Sequence, residues 1–221
     1  MIDTLPAAAD RSAEAWVRMR IRFAKGGDLR FASHRDLQRA VERLFRRAAI
    51  DVRQSEGFHP KPRFMFPSAL ALGISGLDEV FEVDLLEACD PANLVARLAA
   101  GAPPGLSILA AEIVPPGSKK AQASRLTYEL SLPAERVAAV SEAVDRVNAA
   151  ESLLSQRAGR ETAVDLRSTL EALSVHEGVL RMTLRAIRTA QARPRDILEV
   201  LQLSDLEHSA DLVRTHVELE T

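Results

Sequence analysis

What most constrains this fold is the alternation in residues 16–25, WVRMRIRFAK, where Val17, Met19, Ile21 and Phe23 take turns with Arg18, Arg20 and Arg22. A period of two sends the apolar set to one face and the three arginines to the other, the pattern of a strand with one buried face. Such a strand needs sheet neighbours and a second layer to cover its apolar side. The next segment, SHRDLQRAVERLFRRA, changes to helical spacing: Leu37, Ala40, Val41, Leu44, Phe45 and Ala48 recur at three and four residues. Ser33 with Asp36 three residues on has the spacing of a capping box, so a helix is expected to start there.

Further along, EGFHPKPRFMFPSALALGISG holds Pro60, Pro62 and Pro67, which forbid a continuous helix, and Gly57, Gly73 and Gly76, which permit tight turns. A long ordered loop is expected, and loops of that length in a compact domain usually have a role. DEVFEVDLLE reads as a strand, DPANLVARLAAG as a helix capped by Asp90 with Pro91 first, and LSILAAEIV as a strand. PPGSKKAQAS, residues 115–124, interrupts the pattern as a linker. The order then repeats: strand RLTYELSL, helix PAERVAAVSEAVDRVNAA, strand candidates SLLSQR and VLRMTLRAI around an ambiguous VDLRSTLEAL, helix RPRDILEVLQL and strand DLVRTHVELE. The fold class predicted is α+β: two ferredoxin-like (βαββαβ) halves with antiparallel sheets, at residues 16–114 and 125–221, behind a loose tail at 1–15.

Net charge is −2, yet between Arg18 and Arg63 thirteen Lys or Arg face five Asp or Glu. At 100° per residue, Arg35, Arg39, Arg43 and Arg46 fall in a band about 80° wide opposite Leu37 and Leu44, a ridge pointing away from the core. Planar guanidinium groups suit phosphate, and Lys61 and Arg63 follow in the loop. The strand arginines 18, 20 and 22 offer a second basic face, on the other side of the sheet if the helix covers the apolar one. The competing reading is a merely solvated helix face. Few aromatic residues, with one Trp and one Tyr, speak against a base-stacking platform.

Several chemistries lack their residues. The single cysteine, Cys89, cannot form an internal disulfide or hold an iron–sulfur cluster, and the five histidines are scattered without zinc spacing. GISG and AKGGD lack the form of a phosphate-binding glycine loop. His34 and His59 are weak candidates for acid–base catalysis; the plain structural alternative puts His34 in a helix's first turn and His59 in the proline-rich loop. No signal sequence or membrane span is evident, so a cytoplasmic address and no membrane contact are expected.

FASHRDLQRAVERLFRRA, GFHPKPRFMFPSALALGISGLDEV, VDLRSTLEAL, RPRDIL and VRTHVEL resemble the bacterial radical-SAM-linked domain family, a domain family of unknown function, over about Trp16 to Leu219. Ser33, His34 and Asp36, with Gly57, Phe58, His59 and Pro60, carry the resemblance most specifically; where Ala32 and Arg35 stand, the family more often has Leu. The paired layout is also similar to CRISPR repeat-processing endonucleases, whose glycine-rich loop is missing here. The radical-SAM resemblance implies a radical S-adenosylmethionine (radical-SAM) protein with a cobalamin-binding-like region as partner. That partner, and not this chain, would hold the S-adenosylmethionine and the iron–sulfur cluster. The function expected is an accessory domain that binds a polyanion, structured RNA, for that enzyme, through Arg35, Arg39, Arg43, Arg46, His59, Lys61 and Arg63. The alternatives are a protein-interaction module that docks on the enzyme without nucleic acid, and a metal-independent ribonuclease using His34 and His59.

Overall fold

The alternating segment forms strand β1, Val17–Lys25; Met19, Ile21 and Phe23 are buried while Val17 and the arginines are partly exposed. This computed structural model describes residues 16–156, 163–187, 192–207, 209 and 211–220. The expected tail at 1–15 lies outside them. After a 3₁₀ turn at Gly27–Phe31 come α1 (His34–Arg47), β2 (Phe64–Met65), β3 (Ser75–Leu85), α2 (Pro91–Gly101) and β4 (Leu106–Ile113). The second half follows as β5 (Ala123–Ser131), α3 (Val137–Ala149), β6 (Leu154–Ser155), β7 (Val164–Asp165), β8 (Leu170–His176), β9 (Val179–Arg185), α4 (Pro194–Val200) and β10 (Leu212–Leu219).

The architecture is mixed α+β on a sheet whose pairings are antiparallel but for one. Its order is β4-β1-β3-β10-β5-β9-β8, and β2 pairs with β3. Instead of two separate sheets, the halves share one, because β10 runs parallel to β3 at Val213↔Ser75 and Arg214↔Gly76. Further up β3, the same edge is taken by β2, at Phe64↔Val83 and Met65↔Glu82. The segment SLLSQR yields only the two-residue β6, which pairs with β7 in a small ribbon apart from the sheet. VDLRSTLEAL resolves into β7, a 3₁₀ turn at Leu166–Ser168 and β8.

Two apolar clusters result. Met19, Ile21 and Phe23 of β1 pack with Phe81, Val83 and Leu85 of β3 under Leu37, Val41, Leu44 and Phe45 of α1 and Leu94 and Leu98 of α2. Each such side chain contributes about 1.5–3 kcal/mol by burial. The other cluster lies in the second half, yet it takes in Leu70, Ile74 and Val80 from the first. The linker is tied down as well: Ala121 is buried and its N–H donates to Glu82 Oε2 at 3.2 Å. Among the described residues, no helix is long and apolar enough to cross a membrane.

Candidate functional site

Helix α1 begins as its cap residues dictate: Ser33 Oγ accepts from the Asp36 N–H at 3.2 Å and donates to Asp36 Oδ2 at 2.6 Å. That hydrogen bond, ahead of the nearby Arg39 charge, holds the Asp36 carboxyl below its ordinary pKa. With Leu37, Ala40, Val41, Leu44 and Phe45 buried, rotation by 100° per residue leaves Arg35, Arg39, Arg43 and Arg46 exposed. Arg39 reaches Asp36 at 3.5 Å, whereas the side chains of Arg35, Arg43 and Arg46 make no hydrogen bond or ion pair among the described residues. Glu42 borders the row without pairing to it. At the far end Arg47 donates to Gly101 O at 2.8 Å, and Arg97 of α2 donates to Ala48 O and Ala49 O, both at 2.9 Å, capping the helix.

The strand arginines behave differently. Arg18 pairs with Asp84 at 3.2 Å, Arg20 with Glu82 and Glu112, each at 2.9 Å, and Arg22 with Asp78 at 3.2 Å. The cross-strand register sets an acid opposite two of them, Arg18↔Asp84 and Arg20↔Glu82, while Arg22, opposite Val80, reaches Asp78 diagonally. The expected second basic face is therefore a neutralised one. The same holds on the second half, where Arg125 and Arg185 share Glu171 and Arg125 also meets Glu218.

The first part of the proline-rich loop is the tip of a hairpin rather than an irregular excursion. Arg63 N–H donates to Arg53 O at 3.0 Å, Ser55 N–H to Lys61 O at 2.8 Å, and Val52 bridges to Leu85. Gly57 turns the tip at φ +117°, a conformation side chains rarely adopt. Phe58 stands there at 102 % exposure, with His59, Pro60 and Lys61 exposed beside it. Arg63, at the hairpin's base, lines a cleft with Arg18, Glu82 and Asp84, on the sheet face away from α1. The candidate residues thus fall into two groups, the α1 row and the hairpin.

His34 and His59 are not brought together by any hydrogen bond or ring contact. His34 lies edge-on to Phe66, with centroids 5.1 Å apart, and its Nε2 is 3.2 Å from Gln38 Nε2. Burial, then the charges of Lys25 and Arg214, lower its pKa.

Those two cations belong to a cluster that the sequence reading placed too low or missed. Arg214 of β10 is fully buried and bidentate on Glu79, its Nε donating at 2.7 Å and its Nη2 to the other oxygen; Nη1 donates to Ser68 Oγ at 3.1 Å and Ala69 O at 3.2 Å. Burial opposes its charge, but Tyr128 and Glu79 more than offset that and raise its pKa. Lys25, 1 % exposed, donates to Ala32 O at 2.9 Å; burial lowers its pKa against the pull of Glu79. Lys25 and Arg214 flank Gly76 in register, and a Cβ on Gly76 would lie 2.5 Å from Glu79 Oε1. The glycine makes room for the carboxylate that joins the halves. The signal was available: Lys25 falls on the apolar parity of β1, as Arg214 does with Leu212 in β10. Among the described residues, no three His, Cys, Asp or Glu side chains gather as a metal site would require.

A family model described as an uncharacterized protein conserved in bacteria (DUF2344) matches residues 18–194. No curated protein matches the chain. One similar solved structure, the crystal structure of an unknown protein from Galdieria sulphuraria, is 12 % identical, with 94 % of this chain and 100 % of that chain covered at a TM-score of 0.31. A likeness that low carries no argument.

Proposed function

We propose, from the premise that the chain belongs to this bacterial family (DUF2344), that it is an accessory module holding a polyanion, structured RNA, for a radical-SAM enzyme that carries a cobalamin-binding-like region. The observation that carries this reading is the exposed row Arg35, Arg39, Arg43 and Arg46, in which only Arg39 has an acid partner, while the arginines of β1 are all matched by acids. Unpaired guanidinium groups along one rigid helix face can each meet a phosphate, which fixes a polyanion without reading its sequence. Support for ferredoxin-like halves comes from the strand order, β4-β1-β3 with β2 beyond, and β10-β5-β9-β8: each half runs fourth, first, third, second. The radical chemistry, with its S-adenosylmethionine and iron–sulfur cluster, belongs to the partner in this reading, and the site of action is the cytoplasm. Co-purification tests it. RNA retained by the tagged protein from cell extract should be lost when Arg35, Arg39, Arg43 and Arg46 become Glu; equal retention by a folded variant would refute it.

Phe58 favours a second reading, docking on the enzyme through protein alone. A fully exposed aromatic at the tip of a hydrogen-bonded hairpin suits an apolar pocket on a partner. Capture of the radical-SAM protein that survives ribonuclease and is lost in Phe58→Ser would favour this reading over the first.

A further inference from the structure

We propose a second ligand site, independent of the α1 row: the cleft on the opposite sheet face takes the phosphate of a phosphomonoester. The cleft, about 240 Å³, lies between the hairpin base (Arg63, Phe64, Met65), the sheet (Arg18, Glu82, Asp84) and Lys120 of the inter-half segment. Its two carboxylates are already committed. Glu82 Oε1 accepts from Arg20 at 2.9 Å and 3.2 Å while Oε2 accepts from the Ala121 N–H; Asp84 Oδ1 accepts from Arg18 Nε at 3.2 Å. Arg18 is held in place further by Ser118 O at 3.3 Å and by the Trp16 ring, 5.4 Å from its guanidinium carbon. What remains is two cations, Arg63 and Lys120, whose side chains make no hydrogen bond or ion pair among the described residues.

Charge and size select the ligand. Two unpaired cations lining one cleft match a phosphomonoester, which carries about −1.5 to −2 at neutral pH and offers separate oxygens to each. A volume below the roughly 300–1,000 Å³ of drug-sized pockets holds a headgroup rather than an extended molecule. Met65, in register with Glu82, gives the rest of the ligand an apolar wall. The phosphate can come from a free mononucleotide or from the 5′ end of an RNA, and the two sources share this chemistry.

Calorimetric titration of the full chain decides. AMP and inorganic phosphate should bind and adenosine should not. The double variant Arg63→Ala, Lys120→Ala should lose about tenfold or more in affinity for AMP, while a variant with Arg35, Arg39, Arg43 and Arg46 changed to Glu keeps it. Neither side chain has a partner to lose, so the double variant should fold. In the helix variant, competition with AMP by a 5′-phosphorylated oligoribonucleotide, and not by its 5′-hydroxyl form, would support the site with an RNA end as source; no competition by either would support it with the free nucleotide. No heat from AMP or phosphate at millimolar concentration, or equal affinity in the double variant, would overturn the proposal.

Discussion

A single buried residue, Glu79, decides whether two buried cations are tolerable where they stand. It is 3 % exposed, bidentate with Arg214 and close enough to Lys25 to oppose the loss of its charge. Removing one partner of a buried pair leaves an uncompensated charge, so Glu79→Ala should destabilise by about 3–5 kcal/mol in urea unfolding. Gly76→Ala should act the same way by pushing the carboxylate aside. His34 adds a pH dependence. Its folded-state pKa is lowered, so as pH falls from 6.5 the unfolded chain takes up a proton before the folded one does. Stability from this group is full above pH 6.5 and declines as pH falls through the lowered value, below which it changes no further. An NMR titration should place the His34 midpoint below 6.5; a midpoint at or above 6.5 would contradict the burial argument.

Elements show the same physics at longer range. Ser33 caps α1, and Ser33→Ala should cost about 1 kcal/mol. Arginines of like appearance in the sequence should differ in thermal unfolding. Arg43→Ala, on the exposed row, should stay within about 0.5 kcal/mol of the parent, whereas Arg20→Ala strips a buried Glu82 of its ion pair and should cost roughly 1–3 kcal/mol. The helices, most strands and the α1 row were legible because they rest on local periodicity and caps: Leu37 to Phe45 at helical spacing, Asp90 before Pro91, Val17 to Phe23 at spacing two. Pairing was not legible. Nothing near Arg18, Arg20 or Arg22 in the chain reveals that Asp84, Glu82 and Asp78 lie opposite, some sixty residues on, so the second basic patch was expected and is absent. The hairpin of residues 52–64 was likewise hidden, since its prolines announce a loop and only its cross-strand hydrogen bonds make it a hairpin.

The molecule as a whole is joined where β10 meets β3, and its two halves are not independent. Arg214 from the second half neutralises Glu79 of the first, and Leu70, Ile74 and Val80 of the first half complete the apolar cluster of the second. Residues 16–114 produced alone would expose the edge of β3 and leave Glu79 without Arg214, so they should fail to fold. The intact chain should unfold in one transition, with circular dichroism and Trp16 fluorescence coinciding. On the outside, ion pairs cancel the strand arginines and leave the α1 row as a positive patch in which, among the described residues, Arg39 alone has an acid partner. The central claim, that this row is a phosphate surface, is tested most directly by RNA affinity across a salt series. Four arginine–phosphate contacts with a single strand predict a log–log slope of about −3, reduced close to zero when Arg35, Arg39, Arg43 and Arg46 are changed to Glu. A slope unchanged by those substitutions, or no binding by the parent protein at low salt, would contradict it.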